Sequence, residues 1–175
     1  MRIALCFTAA VITPALALSA PPEILHYLGE VKLTSPTGQS MGSQVIMLEK
    51  TLDRDNSKIT ERAIVVQGDG KSEEWTMRLA VKPDNSFTLT DDAKKVEGTG
   101  QLFGPAWKWT YFKGTFKAAN GVVIEDENFL ADDSVGVARK KVIGPDGKTF
   151  MYMDMSLKAI TPKTFEILRA GLMRK

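Results

Sequence analysis

Glu74-Trp75-Thr76-Met77-Arg78-Leu79-Ala80-Val81-Lys82-Pro83-Asp84-Asn85-Ser86-Phe87-Thr88-Leu89-Thr90, residues 74–90, is two alternating runs joined by a turn. Trp75, Met77, Leu79 and Val81 share one side of an extended chain, opposite Glu74, Thr76, Arg78 and Lys82. Phe87 and Leu89 likewise oppose Ser86, Thr88 and Thr90. A period of two puts alternate side chains on opposite faces of a strand, so each run has one apolar face. Lys82-Pro83-Asp84-Asn85 supplies the turn residues between them. The stretch therefore reads as an antiparallel hairpin with one face turned to a core.

The same grammar extends both ways. Arg54-Asp55-Asn56-Ser57, Gln67-Gly68-Asp69-Gly70, Ala119-Asn120-Gly121 and Gly144-Pro145-Asp146-Gly147 are turns, with Asp91-Asp92 and Asp132-Asp133-Ser134 as weaker ones. Between them lie candidate strands at Gly29–Ser35, Gln44–Leu52, Ile59–Gln67, Glu73–Val81, Ser86–Thr90 and Val96–Phe103. Ala106–Phe116, Val122–Leu130, Val135–Ile143, Thr149–Lys158 and Thr164–Gly171 continue the series. Pro22 to Leu28 reads as a short helical turn before the first strand, and no long amphipathic helix follows. The fold class is all-β: an antiparallel up-and-down meander of about 8–10 strands, which avoids exposed edges by closing into a barrel. An open sandwich is the alternative.

Phase then assigns an interior. Met151, Met153, Met155 and Leu157 form an apolar row like that of Trp75 and Met77. Trp107, Trp109 and Tyr111 alternate with Lys108 and Thr110, which predicts a strand with all three rings facing inward. In the strand from Val135, the phase that buries Val135 and Val137 also turns Arg139 inward. Trp75, Met77, Trp107, Trp109, Tyr111, Arg139, Met153 and Met155 are thus the candidate lining of a small-molecule cavity. Methionines adapt to irregular apolar shapes, and tryptophan and tyrosine add flat surface with a polar handle. Arg139 would anchor a ligand carboxylate or pair with an acid such as Asp154 or Glu127. In the competing picture the rings simply fill the barrel.

The N-terminus carries a targeting pattern. Met1-Arg2 is a minimal positive region, Ile3–Leu18 is apolar apart from Thr8 and Thr13, and Ala15-Leu16-Ala17 is a small-residue cleavage region. Residues 1–20 are therefore expected to be a signal peptide cleaved near Ala17 to Ser19. Residues 21–175 then form one domain, large enough for a core of its own. The expected location is the periplasm, as a soluble protein with no transmembrane segment after cleavage. Cys6, the only cysteine, lies in the signal, so the mature chain offers no disulfide, thiol nucleophile or thiolate metal site. Net charge is +2 for the chain, with both signs interspersed, unlike the one-faced basic patch of a nucleic-acid binder.

Motifs for catalysis are weak. Gly38-Gln39-Ser40-Met41-Gly42 matches the nucleophile elbow G-x-S-x-G, but a strand follows it and no histidine lies downstream. His26, the single histidine, sits among Leu25, Tyr27 and Leu28 as a packing residue rather than a base or metal ligand. Glu125-Asp126-Glu127-Asn128 with Asp132-Asp133 lacks the spacing of a calcium loop, and alternate acids on a strand point apart. The expectation is a non-enzyme with no cofactor and no metal. A carboxylate-based enzyme is the remote alternative.

Leu28-Gly29 opening the first strand, the meander, Phe103-Gly104-Pro105-Ala106-Trp107-Lys108-Trp109-Thr110-Tyr111 and a closing hairpin at Ile160-Thr161-Pro162-Lys163-Thr164-Phe165-Glu166 together resemble lipocalin-like (calycin-type) exported bacterial proteins. Val31 stands where the lipocalin Gly-x-Trp signature has tryptophan, so the likeness is to the wider superfamily. The resemblance implies a barrel with an apolar cavity and transfers no catalytic residue. The function expected is binding of a small apolar or amphipathic ligand of the lipid or fatty-acid class. The rival is an envelope interaction protein with a filled barrel, its protein partner unspecified.

Overall fold

The computed structural model describes residues 21–91, 95–132 and 135–172. Ten strands follow one another: β1 (Glu23–Thr34), β2 (Ser40–Asp53), β3 (Lys58–Val66), β4 (Ser72–Val81), β5 (Ser86–Asp91), β6 (Val96–Phe103), β7 (Tyr111–Ala118), β8 (Val123–Asp132), β9 (Val135–Ile143) and β10 (Thr149–Ala159). Each pairs antiparallel with the next, and β10 returns to β1, closing the barrel. Closure pairs the polar backbone groups that an open sheet would leave at two edges. The sandwich alternative is thereby excluded. At the Asn120-Gly121 and Asp146-Gly147 turns the glycines take φ of 84° and 77°, a left-handed conformation they adopt at little cost.

Register fixes which side chains face inward. Leu79 pairs with Leu89 and Val81 with Phe87, so the hairpin read from residues 74–90 forms as expected. Leu52, Ile59, Leu79, Phe87, Leu89, Leu102 and Phe116 make one buried interior cluster. Tyr27, Val31, Ile46, Leu48 and Ala63 make a second under β1, β2 and β3.

Both ends of the chain differ from the sequence expectation. Pro22 to Leu28 is no helical turn, because β1 starts at Glu23. The run from Thr164 is no strand: it lies in α1 (Pro162–Leu172), so the helix is C-terminal. Local chemistry accounts for that. Pro162 occupies the first helical position, and the Thr161 hydroxyl accepts from the Thr164 N–H at 3.1 Å as an N-cap. Phe165 then buries itself with Met47 and Ile64 on the outer face of β2 and β3. His26 lies beneath the helix, its ring 4.5 Å from that of Phe165, with Nε2 3.1 Å from Glu49 Oε2. Two-sided cover explains the misreading of β1: Tyr27 faces the lumen while His26 and Leu28 face the helix, so alternation disappears.

The strand expected over Ala106–Phe116 begins only at Tyr111. Residues 104–110 form a loop, with the Lys108 N–H bonded to Pro105 O at 2.9 Å. The signal peptide, Asp92 and the Asp133-Ser134 turn fall outside the described residues.

Candidate lumenal site

Among the described residues, two oppositely charged pairs stand on the inner face, and Asp91 at the end of β5 is buried in the phase of Phe87 and Leu89. Lys50 on β2 pairs in register with Glu61 on β3, between Leu48–Ala63 and Leu52–Ile59. Across the barrel, Asp126 on β8 pairs with Lys140 on β9. Lys50 Nζ lies 2.7 Å from Glu61 Oε1, and Lys140 Nζ donates to Asp126 Oδ2. The two pairs sense each other through the lumen: Asp126 helps to keep Lys50 charged, and Lys140 does the same for Glu61. Within each pair the two charges cancel, which makes it tolerable in an apolar surround. Asp126 is 3% exposed, and its Oδ1 has no hydrogen-bond partner among the described residues.

Burial alone would push the Lys50 amine down, yet the charge and hydrogen bond of Glu61, with Tyr27 and Asp126, hold it above its ordinary value. For Glu61 burial pushes up, and the charge and hydrogen bond of Lys50, with Lys140, outweigh it and lower the carboxyl. A carboxyl lowered in the folded state contributes stability above its ordinary value of 4.5, lost as pH falls through the depressed value. The raised amine contributes stability below 10.5, lost as pH rises through the elevated one. Urea midpoints measured against pH should therefore fall at both extremes. Glu61→Gln should flatten the acid limb, and an acid limb identical to wild type would contradict the assignment.

The interior is unevenly filled. Phe87, Leu89, Leu79 and Phe116 are almost wholly buried. Along β4 and β10, by contrast, the inner-face Trp75, Met77, Met153 and Met155 stay partly exposed. Lys50 and Glu61, enclosed by protein, still keep 24% and 19% of their side-chain surface accessible. Water therefore reaches the lumen beside this wall.

Of the residues expected to line a cavity, Trp75, Met77, Met153 and Met155 face the lumen. Trp107 and Trp109 reach the interior cluster from the loop rather than from a strand, their rings 4.9 Å apart. Trp107 adopts φ 62°, a strained conformation for a bulky residue. The indole Nε1 of Trp109 is buried without an acceptor among the described residues.

Tyr111 and Arg139 point the other way. Tyr111 stacks on the exposed Phe129 at 4.5 Å, outside the barrel. The Arg139 side chain is 67% exposed, bonded to Asp154 and 5.7 Å above the Tyr152 ring. β9 turns Gly136, Ala138, Lys140 and Val142 inward, because the small residues are needed opposite Leu157 and Met155. Val135 and Val137 are consequently exposed, the reverse of the phase that hydrophobicity suggests. The lumenal charges are what sequence reasoning missed. Lys50 and Glu61 share the phase of Leu48, Leu52, Ile59 and Ala63, which was the available signal.

Glu61 and Asp126 are each bonded to a lysine. Among the described residues no group of three or more histidine, cysteine or acidic side chains is placed to hold a metal ion, and no helix is long and apolar enough to cross a membrane.

No protein-family model matches the chain, and no curated protein is similar to it in sequence. Among solved structures, a protein of unknown function from the DUF3598 family of Nostoc punctiforme is similar, with a TM-score of 0.56 and 8% identity. The match covers 77% of this chain and 46% of that one, so the likeness spans less than half of the longer protein. At that identity it is a likeness of fold.

Proposed function

We propose that the barrel binds a small amphipathic ligand, of the lipid or fatty-acid class, in the part of the lumen between β4 and β10, without catalysing a reaction. The observation that carries this is the water-accessible wall of Trp75, Met77, Met153 and Met155 beside the Lys50–Glu61 pair. An adaptable apolar surface suits a chain, and fixed charges at one side suit a polar head. Lys50 and Lys140 supply the anchoring charges on the lumenal side, whereas Arg139 lies outside. The chain would work in the periplasm once residues 1–20 are removed.

Native mass spectrometry of protein purified from its own envelope, with titration of a fluorescent fatty acid, tests the reading. A co-purifying lipid, and probe binding abolished in a folded Met77→Trp variant that fills the space, are expected. Delipidated wild type that binds no probe, or probe affinity unchanged in Met77→Trp, would sink it. The filled-barrel reading draws on one observation, the close packing under β5, β6 and β7.

A further inference from the structure

The outer face of β8 and β9 is patterned in a way that the lumenal reading does not use. Outward on β8 stand Glu125, Glu127 and Phe129, and directly beside them on β9 stand Lys141, Arg139 and Val137. One strand thus presents two acids and an aromatic ring, its neighbour two bases and an aliphatic side chain. Phe129 is 51% exposed and Val137 45%. Phe129 continues a row of outward rings across β7 and β6 through Tyr111 and Phe103, the last 45% exposed. Bare apolar surface on a barrel wall, rimmed by charge, is a mark of a docking face. A depression of about 460 Å³ adjoins it, lined by the outward Phe129, Val137, Arg139 and Asp154 together with Ala138 and Met155.

We propose that this face pairs with a second copy of the same chain, about a twofold axis parallel to the strands and midway between β8 and β9. That rotation lays β8 of one protomer on β9 of its partner. Glu127 then meets Arg139, Glu125 meets Lys141, and Phe129 meets Val137, each contact occurring twice as an isologous interface requires. Phe129 enters the depression beside Val137. Extending the charged row supports the same axis: Lys113, Glu127, Arg139 and Asp154 alternate in sign along four strands. Reversed by the twofold, such a row opposes every charge with its opposite. The in-plane bonds, Lys113–Glu127 at 3.1 Å and Arg139–Asp154 at 2.9 Å, leave both members of each pair well exposed. Each therefore keeps capacity for a partner across the interface. A convex wall touches along a narrow strip, so buried area of roughly 1,000 Å² and a weak, salt-sensitive dimer are expected.

Sedimentation velocity of the mature chain between about 1 and 100 µM is the test. Wild type should shift from monomer to twice that mass as concentration rises, and added salt should reverse the shift. Glu127→Arg and Arg139→Glu each put like charges across the axis, and each should weaken self-association roughly tenfold or more. Mixed in equal amounts, the two variants place only opposite charges across the interface, and the dimer should return as a heterodimer. Phe129→Ser, at an exposed position, should remain folded by circular dichroism and stay monomeric. A wild type that is monomeric throughout the range overturns the proposal. So does a dimer indifferent to the single reversals, or a mixture that fails to associate.

Discussion

Lys140→Met should lower the stability of the folded protein by about 3–5 kcal/mol, because it strands a buried carboxylate. Asp126 is 3% exposed and Lys140 supplies the ammonium bonded to its Oδ2, while Oδ1 has no partner among the described residues. Lys50 across the lumen senses Asp126 but is already engaged with Glu61. Desolvation therefore outweighs the attraction that remains. Asp126→Leu combined with Lys140→Met removes both charges and fills the space with carbon. That double variant should return to within about 1–2 kcal/mol of wild type, or exceed it. Urea denaturation of the wild type, both single variants and the double variant closes the cycle. The outer pair is the control: Lys113 and Glu127 are 63% and 44% exposed, and Lys113→Met should cost less than about 1 kcal/mol. Equal losses at the inner and outer lysines would mean that the lumenal pair is as wet as the surface pair.

The same pair marks where the sequence stops being readable. Hairpins are legible because turn residues and alternation are local, as at residues 74–90, where Leu79 meets Leu89. A charge on an inner face is not local. Whether Asp126 faces Lys140 or solvent depends on the phase of β8 and β9, and there hydrophobicity points the wrong way. Val135, Val137 and Phe129 are apolar yet exposed, while Lys140 is inward. The hydrophobic phase consequently puts Arg139 in the lumen, one residue out of step with the strand. Slipping a strand by one position exchanges its two faces, so a single misplaced phase moves a whole row. Trp107 and Trp109 illustrate a different limit. Alternation along Trp-Lys-Trp sends two rings to the same side in a strand, but the loop between β6 and β7 also brings both onto the interior cluster. Periodicity puts Trp107, Trp109 and Tyr111 on one face of a strand, whereas the two tryptophans come from a loop and Tyr111 stacks on Phe129 outside.

Gly100→Ala should destabilise the protein by about 1–3 kcal/mol or more, against the sign that conformational entropy gives. No positive φ sets Gly100 apart, so replacing glycine there would ordinarily gain about 0.4–1 kcal/mol by restricting the unfolded chain. Packing reverses this. Gly100 on β6 pairs with Gly114 on β7 and with Phe87 on β5. A methyl group built on Gly100 would run into the Phe87 ring and into the carbonyl oxygen of Lys113. Phe87 is 1% exposed and stacked on Phe112 at 4.9 Å, so its ring has nowhere to go. The carbonyl belongs to the backbone of β7 and can yield only if the ladder moves. Truncating the ring therefore should not rescue the change: Phe87→Leu with Gly100→Ala remains less stable than Phe87→Leu alone. A double variant as stable as Phe87→Leu would assign the whole clash to the ring. Gly147 offers the contrast, since its Cβ position meets open space and only its φ of 77° opposes alanine. Because this glycine-lined wall is filled by aromatic rings, it leaves the proposed ligand the side of the lumen lined from β4 and β10. Folded Gly100→Ala should accordingly bind a fluorescent fatty acid as wild type does, while unfolding at lower urea. A loss of probe affinity out of proportion to the folded fraction would place the ligand against Phe87 and overturn the division of the lumen.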